Sequence, residues 1–299
     1  MSPKFIKAFG AAMLALINVS VVAQDTRPAW SANLADIRQT AAQKSGPRPL
    51  RINVVKFAES RRTKNFSIKG APAEASVQAR TAFQVMYADG HVMVDAGMDQ
   101  QVHRFFGRGA EEPYFPEAAS QVARALTTAK LIVVTHEHGD HVAGVIRSTH
   151  ASELAPKTTL TKSQVQTLLT SPQMPEIKLA PEMAARYVVV DYDKYYPLAP
   201  GIALIKAPGH TPGSQMVYVV LESGAEYLLI GDAAWHMDGV RLVKGKDAPW
   251  VTEDERAVMD QLAWLNRLSQ TEPIVIVASH DDEEHAELIK KGILGGRFE

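Results

Sequence analysis

The segment Thr135-His136-Glu137-His138-Gly139-Asp140-His141 constrains this chain more than any other feature. It follows Leu131–Val134, an apolar run that reads as a buried strand. Alternate residues of an extended segment point the same way, so His136 and His138 can reach one metal ion. Asp140 and His141 fall on the next turn and can reach a second, with Gly139 permitting the tight backbone this needs. Glu137 lies between the ligands and points away from them, to the surface or to a supporting position. The chain contains no cysteine. Any metal must therefore be held by nitrogen and oxygen, and a disulfide framework, a thiolate nucleophile and an iron–sulfur cluster are excluded.

Three further residues extend the set. His210 sits in Ala207-Pro208-Gly209-His210-Thr211-Pro212-Gly213-Ser214, between two strand-like runs. Asp232 follows the run Tyr227–Ile230, and His280 follows Pro273–Ala278. Singly, each could be a loop histidine, a turn aspartate or a helix cap. Together they place ligand-type side chains at strand ends, where a rigid scaffold presents functional groups.

The hydrophobic fraction of 46% is enough to build a sizeable core. Period-two or apolar runs mark strands at Leu50–Phe57, Thr81–Tyr87, His91–Asp95, Thr158–Thr161, Arg186–Val190, Ala203–Lys206 and Met216–Val220, with Asp89-Gly90 as a hairpin turn. Helices are expected over Ala32–Gln43 capped by Ser31, over Pro116–Thr127 and over Ser163–Thr170. Another is expected after a Thr252/Glu255 capping box, and a last one begins at Asp281–Glu284. Glu59–Ala79 reads as a long loop or flexible flap, and Gln100–Pro116 as a loop over a pocket or a packed connection. Two sheets are expected, and no linker divides the chain from about residue 45 onward.

Residues 1–23 read as a secretory signal: Lys4 and Lys7, an apolar stretch from Phe9, and Val21-Val22-Ala23 before a cut that leaves Gln24 first. Residues 24–49 then form an N-terminal extension and 50–299 the main domain. The expected location is periplasmic or secreted, with no membrane attachment after cleavage. Removing the two signal lysines leaves 30 bases against 33 acids, a net charge of −3. No basic excess is present to bind nucleic acid.

In order, Val94-Asp95-Ala96-Gly97, His136-x-His138-x-Asp140-His141, Pro208-Gly209-His210-Thr211-Pro212-Gly213, Gly231-Asp232 and Ser279-His280 resemble the metallo-β-lactamase fold superfamily over about residues 50–285. The resemblance implies an α/β fold, a four-layer αβ/βα sandwich with its site at one edge between two sheets. It implies one zinc on His136, His138 and His210, and a second on Asp140, His141 and His280, with Asp232 bridging. Zinc is the expected metal, with manganese, iron or cobalt as alternatives. Asp95 resembles the family's buried aspartate that orients ligands rather than binding metal. Asp232 stands where some β-lactamases of this fold place a cysteine, as in lactonases and other dinuclear hydrolases.

The resemblance thus implies an exported dizinc hydrolase acting on a small-molecule lactone or related carboxylic ester. In it, Asp140 passes a proton to the leaving oxygen. A β-lactam hydrolase, a glyoxalase II-like thioesterase and a metal-stabilised small-molecule binding protein are the alternatives. Acyl-homoserine lactonases carry a tyrosine three residues after the bridging aspartate, where this chain has Trp235. The tyrosine's hydrogen bond to substrate is therefore absent, or taken over by the indole N–H, which donates but cannot accept. Trp235, His236, Met98 and Phe106 are candidates for the substrate pocket wall.

Overall fold

The computed structural model describes residues 28–299. The expected signal segment lies outside the described residues. Among the described residues, eleven strands form two sheets. The first has the order β1 (Arg51–Thr63), β2 (Ala75–Tyr87), β3 (Gly90–Val94), β4 (Leu131–Val133), β5 (Thr158–Thr161) and β6 (Val188–Val190). The second comprises β7 (Tyr195–Ala199), β8 (Ile202–Lys206), β9 (Gln215–Val220), β10 (Glu226–Leu229) and β11 (Ile274–Val277), ordered β11-β10-β9-β8-β7. The first sheet is antiparallel from β1 to β3 and parallel from β3 to β6. In the second, only β10 and β11 are parallel.

Strand alternation builds the four layers. Val92 and Val94 of β3 meet Val217 and Val219 of β9 in the core between the sheets. Met93, between them in sequence, faces outward with Ile132 against Val122 and Leu126 of the Pro116–Thr128 helix. On the other side, Met216 and Tyr218 pack against Leu262 and Leu265 of the Glu255–Thr271 helix. Both faces of the inner strands are therefore buried, which is why they read as continuous apolar runs. The Leu34–Ala41 helix joins this outer layer through Ile37 and Ala41, beside Trp30.

The structure corrects several local expectations. The first helix is capped by Asn33, whose side chain accepts from Ala35 N and Asp36 N, rather than by Ser31. The helix at Glu255 is capped by Asp254, not by a Thr252/Glu255 box. Glu59–Ala79 is no flap: it is the outer half of the β1–β2 hairpin, paired as far as Thr63 and Ala75. Its period was masked because polar residues, Ser60, Ser67 and Gln78, take buried positions in it beside Ile68 and Ala79. Gln100–Gly107 is a helix capped by Asp99, with Val102 and His103 buried and Phe105 exposed. β7 had no period of its own to reveal it.

The ligand-bearing segments meet at one edge because of register. Val94 pairs with Val133 in parallel, so Asp95 and Thr135 leave the sheet side by side. Leu229 pairs with Val277, so Asp232 and His280 emerge as neighbours from the second sheet. The β8–β9 connection brings His210 to the same edge. Crevices at strand carboxyl ends are the usual ligand-binding position in such sheets.

Candidate metal centre

All seven expected ligands converge. His136 Nε2 and His210 Nε2 each lie 3.1 Å from His138 Nδ1. On the other side, Asp140 Oδ2 is 3.5 Å from His141 Nε2 and 3.5 Å from His280 Nε2. Asp232 stands between the groups. Its Oδ1 is 3.4 Å from His141 Nε2, and its Oδ2 is 3.1 Å from His280 Nε2, 3.5 Å from His210 Nε2 and 3.8 Å from His136 Nε2. His136, His138 and His210 form one compact group of ligand atoms; Asp140, His141 and His280 form another.

Two buried polar atoms show that these residues fit a cation. His141 Nε2 and Asp232 Oδ1 are both buried and lack any hydrogen-bond partner. Leaving such groups unpaired costs several kcal/mol, about 1–3 each. A cation contacting both removes that cost. The donor set of imidazole and carboxylate with no sulfur suits zinc and its neighbours among the divalent metals.

The protonation states also suit a cation. Burial, reinforced by neighbouring imidazoles, drives His136 well below the ordinary histidine range and His138 down to about 3. Burial raises Asp140, but His141 and Arg80 outweigh it and hold the carboxyl at about 2. Burial likewise opposes ionisation of Asp232, yet His280 and His141 keep it well below the usual carboxylate value. Burial lowers His141, but Asp140, Asp95 and Asp232 together lift it to about 10. Binding a metal there displaces that proton.

Behind the ligands stands a second set of contacts. Asp95 Oδ2 lies 2.8 Å from His141 Nδ1, while Asp95 Oδ1 accepts from Thr135 N and Oγ1. Asp95 is thus placed to orient His141 from a left-handed backbone (φ 64°) that is uncommon outside glycine. His280 Nδ1 donates to Ala79 O at 2.6 Å. Glu253 Oε2 holds His210 Nδ1 at 3.1 Å. Buried Lys246 lies 3.0 Å from the same carboxylate and donates to Asp232 O. A carboxylate or carbonyl behind His141, His280 and His210 fixes each of these rings and makes it a better ligand.

Glu137 does point away from the ligands, but it is fully buried. It accepts from Thr211 Oγ1 at 2.8 Å and Gly213 N at 3.1 Å, tying the His210 loop to the histidine motif. A side chain at Gly213 would sit 2.5 Å from Glu137 Oε2, so only glycine allows this approach. Gly139 opens the Gly139–Ile146 helix, and its need is packing: a Cβ there would meet Met174 and Val102 at about van der Waals overlap distance.

Over the ligands lies a cavity of about 280 Å³. Trp235 and Phe106 line it, as expected. Met98 does not: it is buried behind the site against the Pro116–Thr128 helix side of the core. His236 does not either; its Nδ1 accepts from Asp238 N, capping the Met237–Leu242 helix, and faces Asp281 at 3.3 Å. Short-range sequence proximity to Gly97 and Trp235 carried neither side chain to the cavity. Residues the sequence did not flag are Arg62, Arg80, Arg108, Trp250, Lys246 and Glu253. Glu253 lies in a stretch that read only as a helix cap, and the others come from segments without a motif.

Comparison with known proteins agrees with this geometry. The family model described as metallo-beta-lactamase superfamily matches residues 81–280. The chain is 22% identical over 153 residues to an N-acyl homoserine lactonase of Bacillus thuringiensis, which is 51% of this chain and 56% of that enzyme. It is 23% identical over 211 residues to one of Bacillus cereus, 66% of this chain and 78% of that enzyme. The chain thus spans little more than half the length of the Bacillus thuringiensis relative. An N-acyl homoserine lactone hydrolase solved with N-hexanoyl-L-homoserine at its catalytic metal centre superposes with a TM-score of 0.64 at 15% identity, over 80% of this chain and 96% of that one. The dizinc quorum-quenching lactonase AidC gives 0.55 at 15% identity, over 81% and 90%. Both share the fold.

Proposed function

The chain belongs to the metallo-beta-lactamase superfamily, and we propose that it is an exported dizinc hydrolase of lactones or related carboxylic esters. The observation that carries this reading is the position of Asp232, whose two oxygens face the two ligand groups at once. A carboxylate so placed offsets the charge of two dications and holds them together. The kinship to N-acyl homoserine lactonases supports a lactone as the scissile group.

Divalent metal held by these residues would supply Lewis-acid polarisation of the carbonyl and a hydroxide at neutral pH. The chain's own residues supply the rest. Asp140 is ionised and paired with Arg80, so it can take a proton from the attacking water and pass it to the leaving oxygen. Trp235 and Phe106 wall the cavity and limit water around the reacting centre. The indole N–H of Trp235 donates to Asp232 Oδ2 at 2.7 Å, so it serves the ligand rather than the substrate.

Elemental analysis paired with a lactone panel on the same sample tests the reading. About two metals per chain and lactone turnover are expected. A metal count near zero after gentle purification, or a loaded protein inert on every lactone and ester, overturns it. Export rests on residues 1–23. A mature protein beginning at Gln24 in the periplasmic or culture fraction is the expected result.

A further inference from the structure

The hydrolase reading leaves the substrate's other end undefined, and the cavity wall speaks to it. Arg62, Arg80 and Arg108 all line the cavity, together with Trp250. Two of the three are committed. Arg80 binds Asp140 and Ser60, and Arg62 binds Glu112 and the carbonyl oxygens of Phe106 and Arg61. Arg108 differs: among the described residues it makes no ion pair. Its guanidinium lies 4.1 Å from the centre of the Trp250 ring. Stacking uses the face of a guanidinium and leaves its N–H edge free, in the fork that matches a carboxylate or phosphate.

The backbone at Arg108 reinforces the point. It ends the Gln100–Gly107 helix in the left-handed conformation, at φ 52° and ψ 39°. Glycine is the usual residue at such a helix end, and a larger side chain is strained there. Strain kept at a cavity wall is a pointer to function. Arg62 braces this same segment through Phe106 O and Glu112, so the position of Arg108 is held from below.

We propose that the substrate carries an anionic group, carboxylate or phosphoryl, remote from the scissile bond, and that Arg108 stacked on Trp250 binds it at the cavity mouth. This proposal rests on the hydrolase reading for its chemistry, but its binding half stands apart from turnover. Acyl-homoserine lactones carry no such charge, so the chain would favour a different member of the lactone and ester class.

The test measures binding first. Butyrate, glutarate and 4-phosphonobutyrate are titrated into the metal-containing protein and followed by tryptophan fluorescence. Butyrate accounts for a carboxylate held by the metals alone. At least one of the two doubly anionic probes should bind about tenfold tighter than butyrate, as a charge-assisted fork would give, and which one does so tells a carboxylate from a phosphoryl group. Arg108→Gln should erase the difference. Equal binding of all three, or a preference that survives Arg108→Gln, overturns the proposal. Arg108→Gly relieves the left-handed strain, so its melting temperature should match or exceed that of the parent while the preference is still lost. If glutarate is the tighter probe, hydrolysis of 4-nitrophenyl hydrogen succinate against 4-nitrophenyl butyrate should show the same ratio of kcat/KM, about tenfold, falling to about one in both variants. Should neither ester nor any lactone be cleaved, the hydrolase reading fails while the binding preference still decides this proposal.

Discussion

Trp235 Nε1 donates a 2.7 Å hydrogen bond to Asp232 Oδ2, so the residue beside the ligand motif serves the carboxylate that spans both groups of histidines. The indole lies three residues downstream and is almost wholly buried. Trp235→Phe keeps the ring and removes the donor. Metal affinity should fall about tenfold, measured by competition with a chromogenic chelator. Added zinc should restore activity. If zinc fails to restore it while metal content is normal, the indole acts on substrate instead.

Asp232→Ala removes the only carboxylate that faces both groups among the described residues. Metal content should drop from about two per chain to one or fewer, and lactone turnover by about a thousandfold or more. Elemental analysis and kinetics on one preparation check both. Retention of two metals would place the bridge elsewhere.

Buried Lys246 lies 3.0 Å from the carboxylate of Glu253, a half-buried residue whose side chain is turned inward and also holds His210. Lys246→Met strands Glu253 without its cation. The expected loss is about 3 kcal/mol in denaturant unfolding, because an unpaired buried charge costs more than its pair contributed. Lys246→Met combined with Glu253→Gln should recover much of that stability while metal affinity stays low.

His103 gives the pH dependence. Burial, followed by the charge of Arg80, lowers its pKa. The native state therefore keeps it neutral where the unfolded chain protonates it. Unfolded chains bind that extra proton below about pH 6.5, so stability falls as pH drops from that value and not above it. His103→Leu should flatten the acid limb of the stability–pH curve by about one proton. An unchanged slope would mean that the imidazole is charged in the fold.

The seven candidate ligands were legible in the sequence because their chemistry is carried by residue type at strand ends, where one-dimensional order survives folding, and Asp95 was legible only through the family resemblance. The supporting residues were not. Lys246 reaches Asp232 from a segment without period or motif, and Glu253, which reaches His210, lies in a stretch that read only as a helix cap. Arg80 falls between the stretch read as a flap and the strand expected from Thr81, in the part of β2 whose inward positions face the site and are polar. Helix caps slipped by a residue or two because Ser31 and Asn33, or Thr252 and Asp254, have similar capping chemistry. Met98 and His236 show the limit of adjacency: a neighbour in sequence to a site residue faces the other way after a single turn.

Neither sheet owns a complete ligand group. His136 and His138 leave the first sheet and His210 the second; Asp140 and His141 come from the first, Asp232 and His280 from the second. A chain emerging from synthesis therefore cannot close either group until its second sheet is assembled, and cannot close the latter until His280 is out. Metal uptake becomes a late event that reports on finished tertiary structure rather than guiding its early steps. For a cysteine-free chain, each ion would also act as a reversible cross-link between the two halves. Withdrawing the metal would then loosen the seam between the sheets before it melted either one.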